Sequence, residues 1–264
     1  MKKIIIISVL IALLCLYPVF NIWGLSKNEA VPSDEDISKG GSVIESLSDF
    51  DVKKAESNVR KAEKKRKDES VSSEKVQMVL YDLKNGKTTY RKVLRDVYIV
   101  GDSLMNGLEA YNILNSNHLI TQVSASLYHL DSNVKKIIKM NPPVLILHYG
   151  INMIAVGDKY LDNFISMYSR IIKELKKSLP DTRIVISGLF PVDRDIASAK
   201  RFGEIGDYNK ALKSMCKDLE IEFVNSSSVL KAHPECYGSD GIHLSKAFYD
   251  KYWLRFLIKE LEIV

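Results

Sequence analysis

Cysteine is scarce in this 264-residue chain, which contains only Cys15, Cys216 and Cys236. Cys15 lies in an apolar N-terminal run, so at most one disulfide could form in the globular region. A small secreted domain held together by disulfides is therefore excluded, because such domains carry several paired cysteines. The sequence leaves open whether Cys216 and Cys236 are paired, since a disulfide requires Cα atoms within about 7 Å of each other.

Metal-ligand spacings and a concentrated basic surface are also missing. The chain has no C-x-x-C or H-E-x-x-H pattern, so we predict no structural metal and no cofactor. The formal net charge is only +5, and much of the basic excess lies in residues 53–67. A nucleic-acid-binding protein usually carries a clustered basic face on its folded domain. We therefore expect no nucleic-acid partner.

An apolar run extends from Ile4 to about Leu25 and has few polar interruptions. At about 20 residues, it is long enough to cross a bilayer as a helix. No A-x-A cleavage pattern follows it, so residues 1–25 predict an uncleaved anchor, with a cleaved signal segment as the alternative. Lys2 and Lys3 precede the run, which predicts a cytoplasmic N-terminus and an extracytoplasmic remainder of the chain.

Residues 26–75 predict a charged tether, either disordered or a lone helix, because they lack the apolar surface that a core requires. The basic stretch at 53–67 is either a solvated spacer or a contact for anionic lipid head groups or an anionic wall polymer. In residues 76–95, Asn85-Gly86 stands between two β-prone runs. That pattern predicts a small β-hairpin appendage.

From residue 96 to residue 264, short apolar runs alternate with helical patterns. The runs lack strict polar alternation, which indicates strands buried on both faces, and the intervening helices indicate parallel crossovers. The predicted fold is a three-layer α/β/α sandwich with a five-stranded parallel sheet. The predicted strands are 97–100, 120–125, 144–147, 183–187 and 221–224. The predicted helices lie near 104–115, 131–140, 159–178, 204–218 and 244–261.

Polar motifs follow three of these strands at their carboxyl ends, where ligands gather in open parallel sheets. Ser103, in the sequence GDSL, begins a helix, and Asn152 follows the third strand in the sequence GIN. Asp240 and His243 stand in the sequence DGIH before the last helix. A histidine held by a carboxylate can take a proton from a serine hydroxyl. Each motif alone is equally typical of helix caps and turns.

The order strand-GDSL-helix, strand-GIN and strand-DGIH-helix resembles the SGNH (GDSL) hydrolase family. The resemblance covers roughly residues 96–264 and implies a flavodoxin-like fold and serine-dependent hydrolysis of esters. It implies that Ser103 is the nucleophile and that Asp240 and His243 complete a catalytic triad. It also implies that Asn152 donates its side-chain amide to the oxyanion.

This chain differs from the family pattern in the second block. The family usually carries a glycine after the second strand, and the backbone N–H of that residue completes the oxyanion hole together with the N–H of the nucleophile, here Ser103. The corresponding stretch, residues 122–127, contains no glycine. The best register places Ser124 there, and Ser126 is the alternative if the alignment shifts by two residues. A backbone donor needs no particular side chain, so Ser124 can serve if it adopts the required conformation.

Together these expectations describe an extracytoplasmic serine esterase that removes O-acyl groups, with O-acetyl favoured, from carbohydrate or cell-envelope substrates. One alternative is an O-acyltransferase that uses the same triad beside a membrane acyl-donor system to modify cell-envelope glycans. Another is a catalytically silent envelope-binding protein. The expected partners are an acylated carbohydrate or lipid-like ester, and the membrane through the N-terminal helix. Residues 191–195 predict either a substrate rim or a solvated loop.

Overall fold

Five parallel strands form the centre of the fold, in the order β2-β1-β3-β4-β5. The computed structural model describes residues 52–193, 196 and 200–264. The strands are β1 (Val97–Gly101), β2 (Leu119–Thr121), β3 (Val144–His148), β4 (Arg183–Ser187) and β5 (Glu222–Val224). The helices include α1 (Val52–Lys84), α2 (Tyr90–Val93), α3 (Ser103–Ala110), α4 (Leu127–Met140), α5 (Asp158–Ser178), α6 (Ile205–Asp218), α7 (Ser227–Lys231) and α8 (Leu254–Glu260). Shorter turns of 3-10 helix lie at Ser116–His118, Ile151–Met153, Lys200–Glu204 and Pro234–Cys236, and a π-helix at Phe248–Trp253 precedes α8.

The strands carry buried side chains on both faces of the sheet. Ile99 on β1 pairs with Leu119 on β2 and with Ile146 on β3, and Ile146 pairs with Val185 on β4. All four residues are buried on one face of the sheet. The next residues along the strands, whose side chains point to the opposite face, are buried as well: Val100, Leu147 and Ile186. Branched aliphatic side chains favour extended backbone, and their burial on both faces explains why the sequence runs do not alternate with polar residues. The predicted five-stranded parallel sheet is confirmed.

Helices cover both faces because the chain winds in two directions from β1. The connection through α3 leads to β2 at one edge, whereas the connections through α4, α5 and α6 lead toward the other edge. With right-handed crossovers, α4, α5 and α6 lie on one face and α3 on the opposite face. The winding direction changes between β1 and β3. The carboxyl ends of those strands therefore border the crevice where such folds bind ligands.

The hairpin predicted at 76–95 is wrong, because the Asn-Gly pair ends a helix instead of joining two strands. The Lys87 N–H donates to the Asp82 carbonyl at 2.9 Å, and the Gly86 N–H donates to the Leu83 carbonyl at 3.4 Å. This pair of bonds is the Schellman arrangement that closes helix C-termini. Gly86 has a φ of 69°, a left-handed conformation that glycine adopts without strain.

The last turns of α1 pack against the core, so the boundary predicted at residue 96 is also wrong. Val76 is buried, and Val79, Leu80 and Leu83 pack on the core beside it. Their spacing of three and four residues places them on one helix face. The chain divides into units of residues 1–64 and 65–264, and the second unit contains this part of α1 together with the sheet.

The predicted anchor, residues 1–25, and residues 26–51 of the predicted tether lie outside the described residues. Residues 52–75 of that tether belong to α1. Within the described part of the chain, no helix has both the length and the apolarity that a membrane span requires.

The remaining departures from the predicted elements are local. The strand predicted at 120–125 ends at Thr121, because Gln122 and Ala125 close a turn through a 3.2 Å backbone hydrogen bond.

Cys216 and Cys236 are both buried free thiols, so the structure leaves them unpaired. Among the residues that the structure describes, no group of three or more His, Cys, Asp or Glu side chains could hold a metal ion.

Candidate active site

Ser103 is the first residue of α3 and lies two residues beyond Gly101, the last residue of β1. Asp102 caps this helix, since its Oδ1 atom accepts a hydrogen bond from the Leu104 N–H at 3.0 Å. The first N–H groups of a helix have no partner within the helix, and the helix dipole favours negative charge there. The Ser103 hydroxyl and its backbone N–H therefore lie where a developing oxyanion is stabilised.

Asp240 and His243 lie in a tight loop that ends near Ser103. The Asp240 Oδ1 atom accepts hydrogen bonds from the N–H groups of Ile242 at 3.0 Å and His243 at 2.9 Å. Gly241 permits this turn with a φ of 67°, and a Cβ atom at this position would lie 2.9 Å from the Asp193 Cβ. The loop conformation leaves the second oxygen of Asp240 facing the imidazole.

These side chains form a continuous hydrogen-bonded line. The Asp240 Oδ2 atom lies 2.5 Å from His243 Nδ1, and His243 Nε2 lies 3.0 Å from Ser103 Oγ. The hydrogen bond with His243, supported by the two loop N–H groups, lowers the pKa of Asp240 to about 2. The ionised carboxylate facing Nδ1 favours the tautomer with the proton on Nδ1, in which Nε2 can accept the Ser103 proton.

The line is open to solvent. The side chain of His243 is 54% exposed and that of Asp240 is 49% exposed. A large alcohol portion of a substrate can therefore approach without passing through a narrow channel. Solvent also screens the attraction between the carboxylate and the imidazolium, so this pair is weaker than a buried one.

Asn152, which follows β3, contacts the turn that follows β2. Its Nδ2 atom donates to the Ala125 carbonyl at 2.9 Å. The primary amide carries two hydrogens, so this bond orients the group while the other hydrogen remains for a ligand. The sequence gives no sign that the Ala125 carbonyl orients Asn152. The hydrogen bond forms only where two loops meet, and its two residues are 27 positions apart.

Ser124 occupies the turn position that favours glycine. The turn from Gln122 to Ala125 is closed by a backbone hydrogen bond, and Ser124 is its third residue, with a φ of 58°. Type II turns require a positive φ at this position. Ser126, the other candidate, precedes α4, and its N–H donates to His129 Nδ1 at 3.1 Å. The geometry therefore favours Ser124 as the residue that replaces the expected glycine.

We predict that Ser124→Gly changes stability little, whereas Ser124→Val is destabilising. Glycine relieves the backbone strain of a positive φ, which stabilises the folded state, but it also gives the unfolded chain more conformational freedom. Each effect is about 1 kcal/mol, and the two oppose each other. A β-branched residue at positive φ is strongly disfavoured, with an expected cost of about 1–3 kcal/mol. Urea unfolding of the two variants measures the difference. Equal stability of both would contradict the left-handed conformation of this residue.

Asp102 is a fully buried carboxyl beside the site. Its Oδ2 atom has no hydrogen-bond partner among the described residues. Burial raises the pKa of Asp102 from 3.8 to about 7, although the Leu104 N–H and the charge of His243 act in the opposite direction. The carboxyl is therefore largely protonated in mildly acidic solution. This ionisation is a property of the fold and could not be inferred from the motif.

Replacement of Asp102 by asparagine is expected to remove a pH dependence of stability. Between pH 4 and 7 the unfolded carboxyl ionises while the folded one stays protonated, so the free energy of unfolding falls as pH rises. The difference between the pKa values of the folded and unfolded states corresponds to a change of at most about 4 kcal/mol in the free energy of unfolding. Asparagine keeps an oxygen for the Leu104 N–H and cannot ionise.

Denaturant unfolding of both proteins at several pH values gives the test. The Asp102→Asn variant should gain stability relative to the wild type as pH rises from 4 to 8. Titrating groups that do not interact with Asp102 are shared by the two proteins and cancel in the difference. Parallel pH curves would show that the Asp102 pKa is ordinary.

His148, at the end of β3, is fully buried and not part of the hydrogen-bonded line. Its Nδ1 atom lies 3.1 Å from Ser187 Oγ, and its ring packs against Phe190. Burial lowers the pKa of His148 to about 3. It is therefore neutral at ordinary pH and serves as a core residue beneath the crevice.

Part of the segment predicted as a substrate rim supports the loop that carries Asp240 and His243. The Asp193 N–H donates to the Gly241 carbonyl at 2.8 Å, and the Tyr237 hydroxyl donates to the Pro191 carbonyl at 3.0 Å. Residues 194, 195 and 197–199 lie outside the described residues. The sequence carries no signal for these contacts, since at least one partner in each is a backbone group.

Comparison with known proteins gives one family match and several structural matches. The sequence profile described as the GDSL-like Lipase/Acylhydrolase family matches residues 99–251. A GDSL-like lipase from Bacteroides thetaiotaomicron has 18% sequence identity and a TM-score of 0.50, with 71% of this chain and 97% of that chain covered. A catalytic mutant of an acetylxylan esterase from Geobacillus stearothermophilus has 14% identity and a TM-score of 0.49, with 62% and 92% covered. A search of curated protein sequences finds no match.

Proposed function

Because the chain belongs to the GDSL-like Lipase/Acylhydrolase family, whose members are hydrolases acting on esters, we propose that it is an extracytoplasmic serine esterase. Its proposed substrates are carbohydrates or cell-envelope glycans that carry O-acyl groups, with acetyl as the acyl group removed. Ser103 is the proposed nucleophile, His243 the general base and Asp240 the residue that orients the base.

The observation that carries this proposal is the contact between His243 Nε2 and Ser103 Oγ at 3.0 Å. A serine hydroxyl is a weak nucleophile unless an adjacent base accepts its proton. The distance lies within the range of 2.6–3.2 Å that general-base catalysis requires. An ionised carboxylate faces the second imidazole nitrogen and favours the productive tautomer, which carries its proton on Nδ1.

The proposed reaction has two halves. Ser103 Oγ attacks the ester carbonyl carbon while His243 takes the hydroxyl proton, and the negative charge moves to the carbonyl oxygen. The N–H groups of Ser103 and Ser124 and the amide of Asn152 stabilise this oxyanion. His243 then gives its proton to the leaving alcohol oxygen, and an acyl-serine remains. Water, deprotonated by His243, cleaves the acyl-serine to release the carboxylic acid and the free serine.

Each of the three proposed oxyanion donors is held in place in a different way, and this supports their assignment. Ser103 contributes a donor at a helix N-terminus, and Ser124 contributes an N–H that has no acceptor among the described residues. Asn152 is oriented by the Ala125 carbonyl. In a related kind of hole, loss of one side-chain donor raises the barrier by about 2.7–4 kcal/mol. Fixed donors are favourable because they need no reorganisation when the charge develops.

The open setting and the N-terminal sequence support the proposed substrate and location. Half-exposed Asp240 and His243 side chains leave room for a polymeric alcohol around the scissile ester. The apolar run at residues 4–25 and the preceding lysines favour export of the domain across a membrane. An extracytoplasmic enzyme with an open site is suited to envelope glycans.

Release of acetate from an acetylated oligosaccharide by the full chain tests this function. Proton NMR follows acetate and ester signals with and without an unacetylated glycan acceptor. Ser103-dependent acetate release in water alone supports the esterase. Acetyl transfer only when the acceptor is present would establish the acyltransferase instead. Failure of both reactions would favour the catalytically silent envelope-binding protein.

A further inference from the structure

A cavity of about 450 Å³ opens at the carboxyl ends of β4 and β5, apart from the residues of the triad. Its walls come from the segment after β4, from α6 and from the segment after β5. The proposed reaction uses none of the side chains that line this cavity.

The cavity combines apolar and cationic side chains. Phe202, Ile205 and Phe223 contribute apolar surface, with Ile205 buried and Phe223 partly buried. Three exposed lysine residues also line the cavity: Lys210, Lys213 and Lys231. None of the described residues that line the cavity is acidic. We refer to it as the lysine cavity.

The three lysines are not equivalent. Lys210 forms an ion pair with Asp207 at 2.8 Å, one turn earlier on α6. Lys213 lies one turn further along the same helix, and Lys231 comes from α7. Lys213 and Lys231 thus approach one cavity from two separate elements. An anion between them would reduce their mutual repulsion, and each ammonium can donate up to three hydrogen bonds to it.

One wall of the lysine cavity belongs to a segment that contacts the loop carrying Asp240 and His243. Pro191 and Val192 line the cavity. The next residue, Asp193, donates its N–H to Gly241, which lies between Asp240 and His243. A polymer chain at the triad therefore needs to extend only across this short segment to reach the cavity.

We propose that the lysine cavity binds an anionic saccharide unit, carrying a carboxylate or a phosphate, of the same glycan whose ester is hydrolysed. This inference rests on the proposed esterase function and narrows its substrate to acidic glycans. The ammonium groups of Lys213 and Lys231 pair with the anion, and the C–H faces of the sugar pack against the phenylalanine side chains. A neutral glycan gains only the apolar contact.

The test compares the full-length protein with a Lys213→Ala/Lys231→Ala double variant. Isothermal titration calorimetry measures binding of hexagalacturonate, of an oligomer of glycerol phosphate, and of neutral xylohexaose. The wild type should bind at least one anionic oligomer more tightly than xylohexaose. Two exposed ion pairs predict a loss of about 5- to 10-fold in anion affinity in the double variant. Which anion binds more tightly identifies the carboxylate or the phosphate.

Lys135→Ala/Lys136→Ala is the matched control. This pair removes the same charge from exposed positions on α4, away from the lysine cavity. It should bind the anionic oligomers as the wild type does. Equal weakening by both double variants would show a non-specific effect of net charge, and would overturn the proposal. Unchanged anion binding in Lys213→Ala/Lys231→Ala would overturn it as well.

A kinetic measurement separates this inference from the proposed function. The ratio of KM for acetylated oligogalacturonate to KM for acetylated xylo-oligosaccharide should rise in the Lys213→Ala/Lys231→Ala variant, with kcat on each substrate retained. The calorimetric assay uses oligomers without esters and does not depend on catalysis. Lysine-dependent anion binding without Ser103-dependent hydrolysis would therefore refute the esterase alone. Hydrolysis without lysine-dependent binding would refute the lysine cavity alone.

Discussion

Replacement of Ser103 by alanine is expected to reduce kcat for ester hydrolysis by about 10⁴- to 10⁶-fold. The variant loses the atom that forms the acyl-enzyme, while the oxyanion donors and the substrate contacts remain. A small residual rate above the uncatalysed reaction is expected from those groups. The substitution removes one oxygen from a partly exposed residue, so the fold should be retained.

Hydrolysis of p-nitrophenyl acetate and labelling by a fluorophosphonate probe provide the two measurements. The probe reacts with an activated serine, so it reports on the nucleophile without knowledge of the natural substrate. Ser132→Ala is a matched control, because Ser132 is an exposed serine on α4 whose hydroxyl donates to the Tyr128 carbonyl. Labelling that persists in Ser103→Ala and disappears in another serine variant would assign the nucleophile elsewhere.

Substitution of Asp240 by asparagine is expected to lower kcat by about 10³-fold with little change in stability. Asparagine can keep an oxygen at the Oδ1 position, where it accepts the N–H groups of Ile242 and His243. Its NH₂ group then faces His243 Nδ1, the position now facing Asp240 Oδ2. That geometry favours the tautomer with the proton on Nε2, which cannot accept the Ser103 proton.

Steady-state kinetics and probe labelling of Asp240→Asn check this expectation. Because Asp240 is half exposed, the loss should be smaller than in triads whose carboxylate is buried. Asp131→Asn is the control, since Asp131 is also a partly exposed carboxylate in an ion pair, with Arg170 on α5. A wild-type rate in Asp240→Asn would mean that the carboxylate does not set the tautomer of His243.

The low pKa of Asp240 also defines a pH dependence for the native protein. The carboxylate stays ionised down to about pH 2, so its protonation does not limit activity in mildly acidic solution. Its stabilising interaction is present above the ordinary carboxyl pKa and is lost as pH falls toward 2.

Much of the fold could be predicted because the buried strands have a simple local signature. Branched aliphatic runs such as Val144–His148 and Arg183–Ser187 lie within one residue of the predicted strands. The Asn-Gly pair misled the prediction because the same left-handed residue closes hairpins and ends helices. The backbone hydrogen bonds from Lys87 to Asp82 and from Gly86 to Leu83 distinguish the two, and they form only once the preceding residues are helical.

The site could be predicted only as far as its motifs are contiguous. Ser103, Asp240 and His243 belong to short blocks whose order identifies the family, so their convergence followed from the carboxyl ends of parallel strands. The left-handed conformation of Ser124 has no comparable signal, since serine is found in many conformations. The lysine cavity could not be predicted from the sequence either, because Lys213 and Lys231 belong to separate helices.

By itself, the sequence determined the family, the parallel sheet and the residues available for nucleophilic chemistry, because each depends on local patterns of a few residues. The tertiary structure alone decided where the domain begins, which turn residue has a positive φ, and how burial shifts the pKa values of Asp102 and His148. These properties arise from contacts between segments that are distant in the chain. Desolvation in particular depends on everything packed around a group, and no short motif encodes it.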